Sequence, residues 1–134
     1  MKTILLALAG LMFAIAPLAA HHAFAAEFDA NKPLKLKGTV TSMEWINPHA
    51  WIHIDVTDEA GKVVNWAIEA GAPNGLLRRG FTKNSLPKGT LISVDGYQAK
   101  DGSNRANGSS ITMPDGKKLF VGSSGPGGAQ GEQQ

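Results

Sequence analysis

A chain of 134 residues has room for one small domain and its flanks, and 43% hydrophobic against 18% charged content lets it bury a core. A formal charge of +2 leaves no electrostatic footprint for nucleic acid, and the absence of cysteine excludes disulfides and thiolate metal ligands. With 16 glycines and 7 prolines, the composition suits a turn-rich β protein better than a helical bundle.

The chain opens with Lys2, an apolar run from Ile4 to Leu18, and the small residues of Pro17-Leu18-Ala19-Ala20. That pattern predicts a secretory signal peptide over residues 1–20. About 15 apolar residues fall short of a ~30 Å hydrocarbon layer and no basic stop-transfer cluster follows, so a membrane anchor is the lesser reading. The expected product is a periplasmic or secreted protein with no membrane attachment after cleavage. Cutting after Ala20 makes His21 the first residue. A competing site at Ala23-Phe24-Ala25, with Ala26 following, discards both His21 and His22.

Residues 21–33 read as an N-terminal arm that tucks Phe24 and Phe28 against a β domain spanning 34–122. Within that domain Leu34, Leu36, Gly38 and Val40 alternate, and Met43 and Trp45 follow on the opposite parity. This change of phase near Thr41-Ser42, with Gly38 inside the strand, predicts a bulge and a bend. Asn47-Pro48 makes a turn. In the next strand Ala50, Ile52, Ile54 and Val56 form one apolar face, while His49, Trp51, His53 and Asp55 form the other. Asp58-Glu59-Ala60-Gly61 turns the chain into a third strand, Val63 to Glu69, completing a meander.

Pro73 can start a short helix with Leu76 and Leu77 supplying its buried side, Arg78 and Arg79 suit its C-terminal dipole, and Gly80 is placed to cap it. These arginines read as a solvated helix end. Thr90 to Gln98 forms a fourth strand, Lys100 to Ser109 a polar loop with the turn pairs Asp101-Gly102 and Asn107-Gly108, and Ile111–Met113 with Lys118–Val121 a last hairpin. Residues 123–134, rich in Gly, Ser and Gln, read as a disordered tail. Three meandering strands, a helix, then further strands is the element order of a five-stranded OB-like barrel with its helix between strands 3 and 4. A small β-sandwich is the alternative for this mainly β chain.

The 4 histidines fall into two tight pairs, His21-His22 and His49 with His53. A free N-terminal His21 offers its α-amine and ring nitrogen to one metal ion, and a further imidazole completes the T-shaped set that suits Cu(II). In a regular strand His49 and His53 lie about 13 Å apart, so one of them, rather than both, is expected to meet the N-terminal pair. Asp55 and Glu27 are possible additional ligands, with Asp29 and Glu44 behind them. Met43 is a core filler before it is a Cu(I) ligand. The expected cofactor is a copper ion, with zinc or no metal as alternatives, and the bland reading of His21-His22 is a frayed terminus.

The segments His21-His22-Ala23-Phe24, Ala26-Glu27-Phe28-Asp29, Glu44-Trp45-Ile46-Asn47-Pro48-His49-Ala50-Trp51-Ile52 and Glu69-Ala70-Gly71-Ala72-Pro73 resemble those of a family of exported bacterial proteins known only as a domain of unknown function. The resemblance implies export and a compact β domain, and it implies no activity. A competing function is a ligand- or protein-binding module in which Trp51, with Trp45, stacks on a sugar, a small ligand or another envelope protein. Trp66 belongs to the core on its parity. No acid/base pair, phosphate loop or nucleophile arrangement points to an enzyme.

Overall fold

The alternation around Trp51 has its physical cause in a curved sheet with one buried face. The computed structural model describes residues 23–122. The elements are β1 (Phe28–Glu44), β2 (Trp51–Thr57), β3 (Val63–Glu69), α1 (Pro73–Arg78), β4 (Leu91–Ala99), β5 (Arg105–Thr112) and β6 (Lys118–Phe120). Hydrogen bonding runs in the order β3-β2-β1-β4-β5-β6, and β3 also pairs in parallel with β5, where Ala67, Ile68 and Glu69 face Arg105, Ala106 and Asn107. Five strands thus come close to a ring, with β6 on the outer edge of β5 and the helix between β3 and β4. The expected mainly β, barrel-like architecture and helix position are what the chain adopts.

Inside the ring lie Val40, Ile52, Ile54, Ile68, Val94 and Ile111, one or two from each of the five strands, all buried. Leu76 of α1 and Phe81 and Leu86 from the connection beyond it join this core, whereas Leu77, expected on the buried side of the helix, faces solvent because one turn of so short a helix reaches the core. Burying apolar side chains from every strand is what fixes the inward parity, because a one-residue slip would turn each set outward.

The predicted bend is present. The β1–β2 register passes from Val40 opposite Ile54 to Ser42 opposite His53, leaving Thr41 as the extra residue of a bulge. Gly38 beside it allows β2 to come close: a Cβ there would stand 2.6 Å from the Asp55 carbonyl oxygen. The helix end also follows expectation, with Pro73 in its first turn and Gly80 just beyond it at φ +79°. Arg79, expected in solvent, instead donates to the Gly122 carbonyl at 2.8 Å and ties the helix end to the chain after β6.

Two elements differ from the sequence expectation. β1 begins at Phe28, well before the alternation at Leu34, because Phe28 pairs with Ala99 and packs with Phe24 and Tyr97 as a second small core. β5 begins at Arg105, inside the predicted polar loop. Only Asp101-Gly102 makes a turn there, with Gly102 at φ +75°. Gly108 serves close packing, since a Cβ on it would lie 2.8 Å from Ile68 Cγ2. The expectations for the leader, for His21 and His22 and for the tail lie outside the described residues.

Candidate functional site

The outward face of β2 is where the sequence-predicted residues gather. Ile52 and Ile54 point into the core, so Trp51, His53 and Asp55 point out, and the short turn through Asn47-Pro48 sets His49 at the end of the strand. Pairing places Glu44 on one side of Trp51 and Glu69 on the other, and Asn107 stands beyond Glu69. A row of two carboxylates, an indole and an amide therefore crosses four strands at the seam where the ring closes.

Glu69 is the centre of that row. Its side chain is only 8% exposed, and its Oε1 lies 3.5 Å from His49 Nδ1 and accepts a bond from Asn107 Nδ2 at 3.2 Å. Burial pushes the Glu69 carboxyl above its ordinary range, while the nearby imidazole of His49 and the Asn107 amide pull it partly back. Glu27 and Arg105 are also close enough to influence it.

Arg105 links the seam to the arm. Its guanidinium sits 5.5 Å from the Trp51 ring centre and 5.9 Å from that of Phe28, and it pairs with Glu27 at 2.8 Å. The arm, helical over residues 23–27, is held by Phe24 against Phe28 and Tyr97, with ring centres 5.9 and 5.7 Å apart. The Lys100 backbone N–H donates to the Glu27 carbonyl at 2.9 Å and its ammonium bonds the Ala25 carbonyl. The arm is thus fastened at Phe24 against Phe28 and Tyr97, and at Glu27 to Arg105, which lies near Glu69.

His53 is engaged elsewhere. Its Nε2 meets Glu44 Oε2 at 2.7 Å, and its carbonyl accepts a bond from Thr41 Oγ1 at 3.2 Å. Asp55 accepts from Asn65 Nδ2 at 2.9 Å. His49 and His53 each have their own carboxylate, and among the described residues no three His, Asp or Glu side chains converge on one point. Trp51 is half-buried under Arg105, and Trp45 stacks on Phe81 at 6.3 Å against the core. Met43 and Trp66 pack on the same core, as expected of fillers.

Sequence reasoning did not single out Glu69, Asn107 or Arg105. Glu69 carried one signal, a charged residue ending a strand that is apolar but for Asn65. Asn107 and Arg105 sat in a stretch that looked like loop.

Fold and site together define a small, mainly β chain with a nearly closed sheet and, at its seam, a buried carboxylate beside a partly exposed imidazole. The chain belongs to DUF6152, a family of unknown function, whose sequence pattern matches residues 10–109. No curated protein matches the chain.

Proposed function

We propose that the protein is an exported metal-binding protein that holds a single copper ion between its N-terminal histidines and the His49–Glu69 pair. The observation that carries the reading is the buried Glu69 carboxylate 3.5 Å from His49, next to an arm whose residues 23–28 are pinned by Phe24, Phe28 and the Glu27–Arg105 pair. Only Ala23 separates His22 from Phe24, a Cα–Cα span of at most about 7 Å, so the fastened Phe24 gives the doublet a short tether to the arm. An imidazole and a carboxylate from the described residues supply half of a four-donor set. His21, through its amine and ring nitrogen, supplies the other two, with His22 as an alternative imidazole, a donor set that favours Cu(II) over harder cations. His53, held by Glu44, is left outside the site.

The experiment joins mass spectrometry of the exported protein with copper titration of the wild type, His49→Ala and His53→Ala. The reading expects His21 as the first residue, one Cu(II) per chain, affinity lowered at least about tenfold by His49→Ala, and little change for His53→Ala. A first residue at or beyond Ala26, or copper uptake indifferent to His49, overturns it.

A further inference from the structure

Near the end of α1, strand β6 leaves an edge open. β5 occupies one side of β6, and among the described residues no strand pairs with the other. The Met113 N–H donates to the Lys117 carbonyl at 2.8 Å, and the Val121 N–H to the Ser109 carbonyl at 3.0 Å. Antiparallel ladders alternate bonded and non-bonded pairs, so Leu119 directs its backbone groups at β5. Lys118 and Phe120 direct theirs outward.

A groove of about 420 Å³ follows this edge, with Lys117, Lys118, Leu119 and Phe120 on one side and Arg78 and Arg79 from the end of α1 on the other. Residues of both strand parities line it, which places the groove along the edge of β6 rather than over one face. Four cationic residues border it and no carboxylate does. Arg79 is taken up by the Gly122 carbonyl, and the Lys118 ammonium leans towards Asp95 at 3.7 Å. Arg78 and Lys117 have no ion-pair partner among the described residues. Phe120 adds a large apolar side chain that is 51% exposed.

Unpaired strand edges are sites for β-sheet addition, and natural proteins commonly block them with lysines. Here the cations flank a groove that also offers outward backbone groups and an exposed aromatic ring. A small anion would use the charges alone. From this combination we propose that the groove binds an extended, acidic segment of a partner protein, which adds to β6 as a further strand. Its backbone pairs with Lys118 and Phe120, its carboxylates face Arg78 and Lys117, and an apolar side chain covers Phe120. The copper reading is independent of this surface, because none of the groove residues belongs to the seam.

The test is heteronuclear NMR of the isotope-labelled protein titrated with a capped peptide of alternating Glu and Val, with its Lys and Val counterpart, and with inorganic phosphate. The acidic peptide should shift the amides of Lys118, Phe120 and residues 78–81 saturably. Reversing both exposed charges, Arg78→Glu with Lys117→Glu, should weaken it about tenfold or more without moving the melting temperature appreciably. Phe120→Pro removes an outward donor while sparing the bonds to β5, and should abolish the shift at Lys118. The proposal is overturned if the Lys and Val peptide binds as well, if the same amides do not respond, or if phosphate saturates them at an equal or lower concentration.

Discussion

Replacing Gly96 by alanine tests the closure of the ring and the seam at once. Gly96 lies opposite Gly108 where the β4–β5 register shifts, and a Cβ built on it would stand 2.2 Å from the Asn107 carbonyl oxygen and 3.1 Å from its carbon. Ordinary contact requires the oxygen to retreat by about 1 Å. It cannot do so alone, because Asn107 is held by Tyr97 on one side and by Glu69 on the other. Both colliding atoms are backbone, so no side-chain rotation relieves the clash. The cost belongs at the upper end of overpacking, about 3 kcal/mol, less up to about 1 kcal/mol gained from a stiffer unfolded chain. The net loss of about 2 kcal/mol should lower the melting temperature by roughly 8–16 °C in a domain of this size. Thermal unfolding followed by circular dichroism reads this directly, with Gly61→Ala as the comparison. That glycine has φ +80° and open space around it, so its substitution carries only the left-handed backbone penalty of roughly 1 kcal/mol. A Gly96→Ala protein melting within about 3 °C of the wild type would refute the close approach of β4 to Asn107.

Further outcomes follow from the same contacts. Gly38→Ala, with its Cβ 2.6 Å from the Asp55 carbonyl and 3.0 Å from Val56 Cγ2, should destabilise by about 2 kcal/mol, measurable as a lower denaturant midpoint at unchanged slope. Glu69→Gln should raise stability at neutral pH: a carboxyl whose folded pKa is raised penalises the fold as pH climbs from the unfolded value, about 4.5, through the folded one. The gain should vanish below about pH 4.5, and urea titrations across that range check it. Asp95 works in the opposite sense. Partial burial opposes its ionisation, but Lys35, Ser110 and Lys118 outweigh it and hold the carboxyl below its ordinary range, so Asp95→Asn should reduce stability above pH 4 and lose that effect on acidification. Arg105→Ala should loosen the arm without unfolding the ring, read as faster hydrogen exchange of the Lys100 amide and a changed Trp51 emission.

The strands that bury one face were readable from period-two alternation, as in Ile52 and Ile54 or Trp66 and Ile68. The bulge at Thr41 showed as a change of phase, and the short helix showed through Pro73 and Gly80. What stayed hidden depends on contacts between distant segments. Nothing local distinguishes Asn107-Gly108 as strand from the same pair as a turn, because the deciding contact is Gly108 against Ile68. The arm's entry into β1 depends on Phe28 reaching Ala99, which no periodicity announces. The candidate site was half legible: His49 stood out by type and place, whereas its partner Glu69 is defined by burial, which sequence reports poorly for a charged residue at a strand end.

The seam explains why such a residue is tolerated. β3 and β5 pair over only three residue pairs, and parallel pairing there has no hairpin to set its register. Ile68 and Ala106, the inward pair, are apolar and would accept a slip of two residues with modest loss. Glu69 would not, since a slip would part its carboxylate from Asn107 and leave a buried charge without its amide donor. The same group that fixes the register is held 3.5 Å from an imidazole, beside a pinned arm. Stability alone would be better served by an apolar pair at this position, and a buried carboxylate held beside the His49 imidazole is the physical ground on which we place the proposed function at the seam.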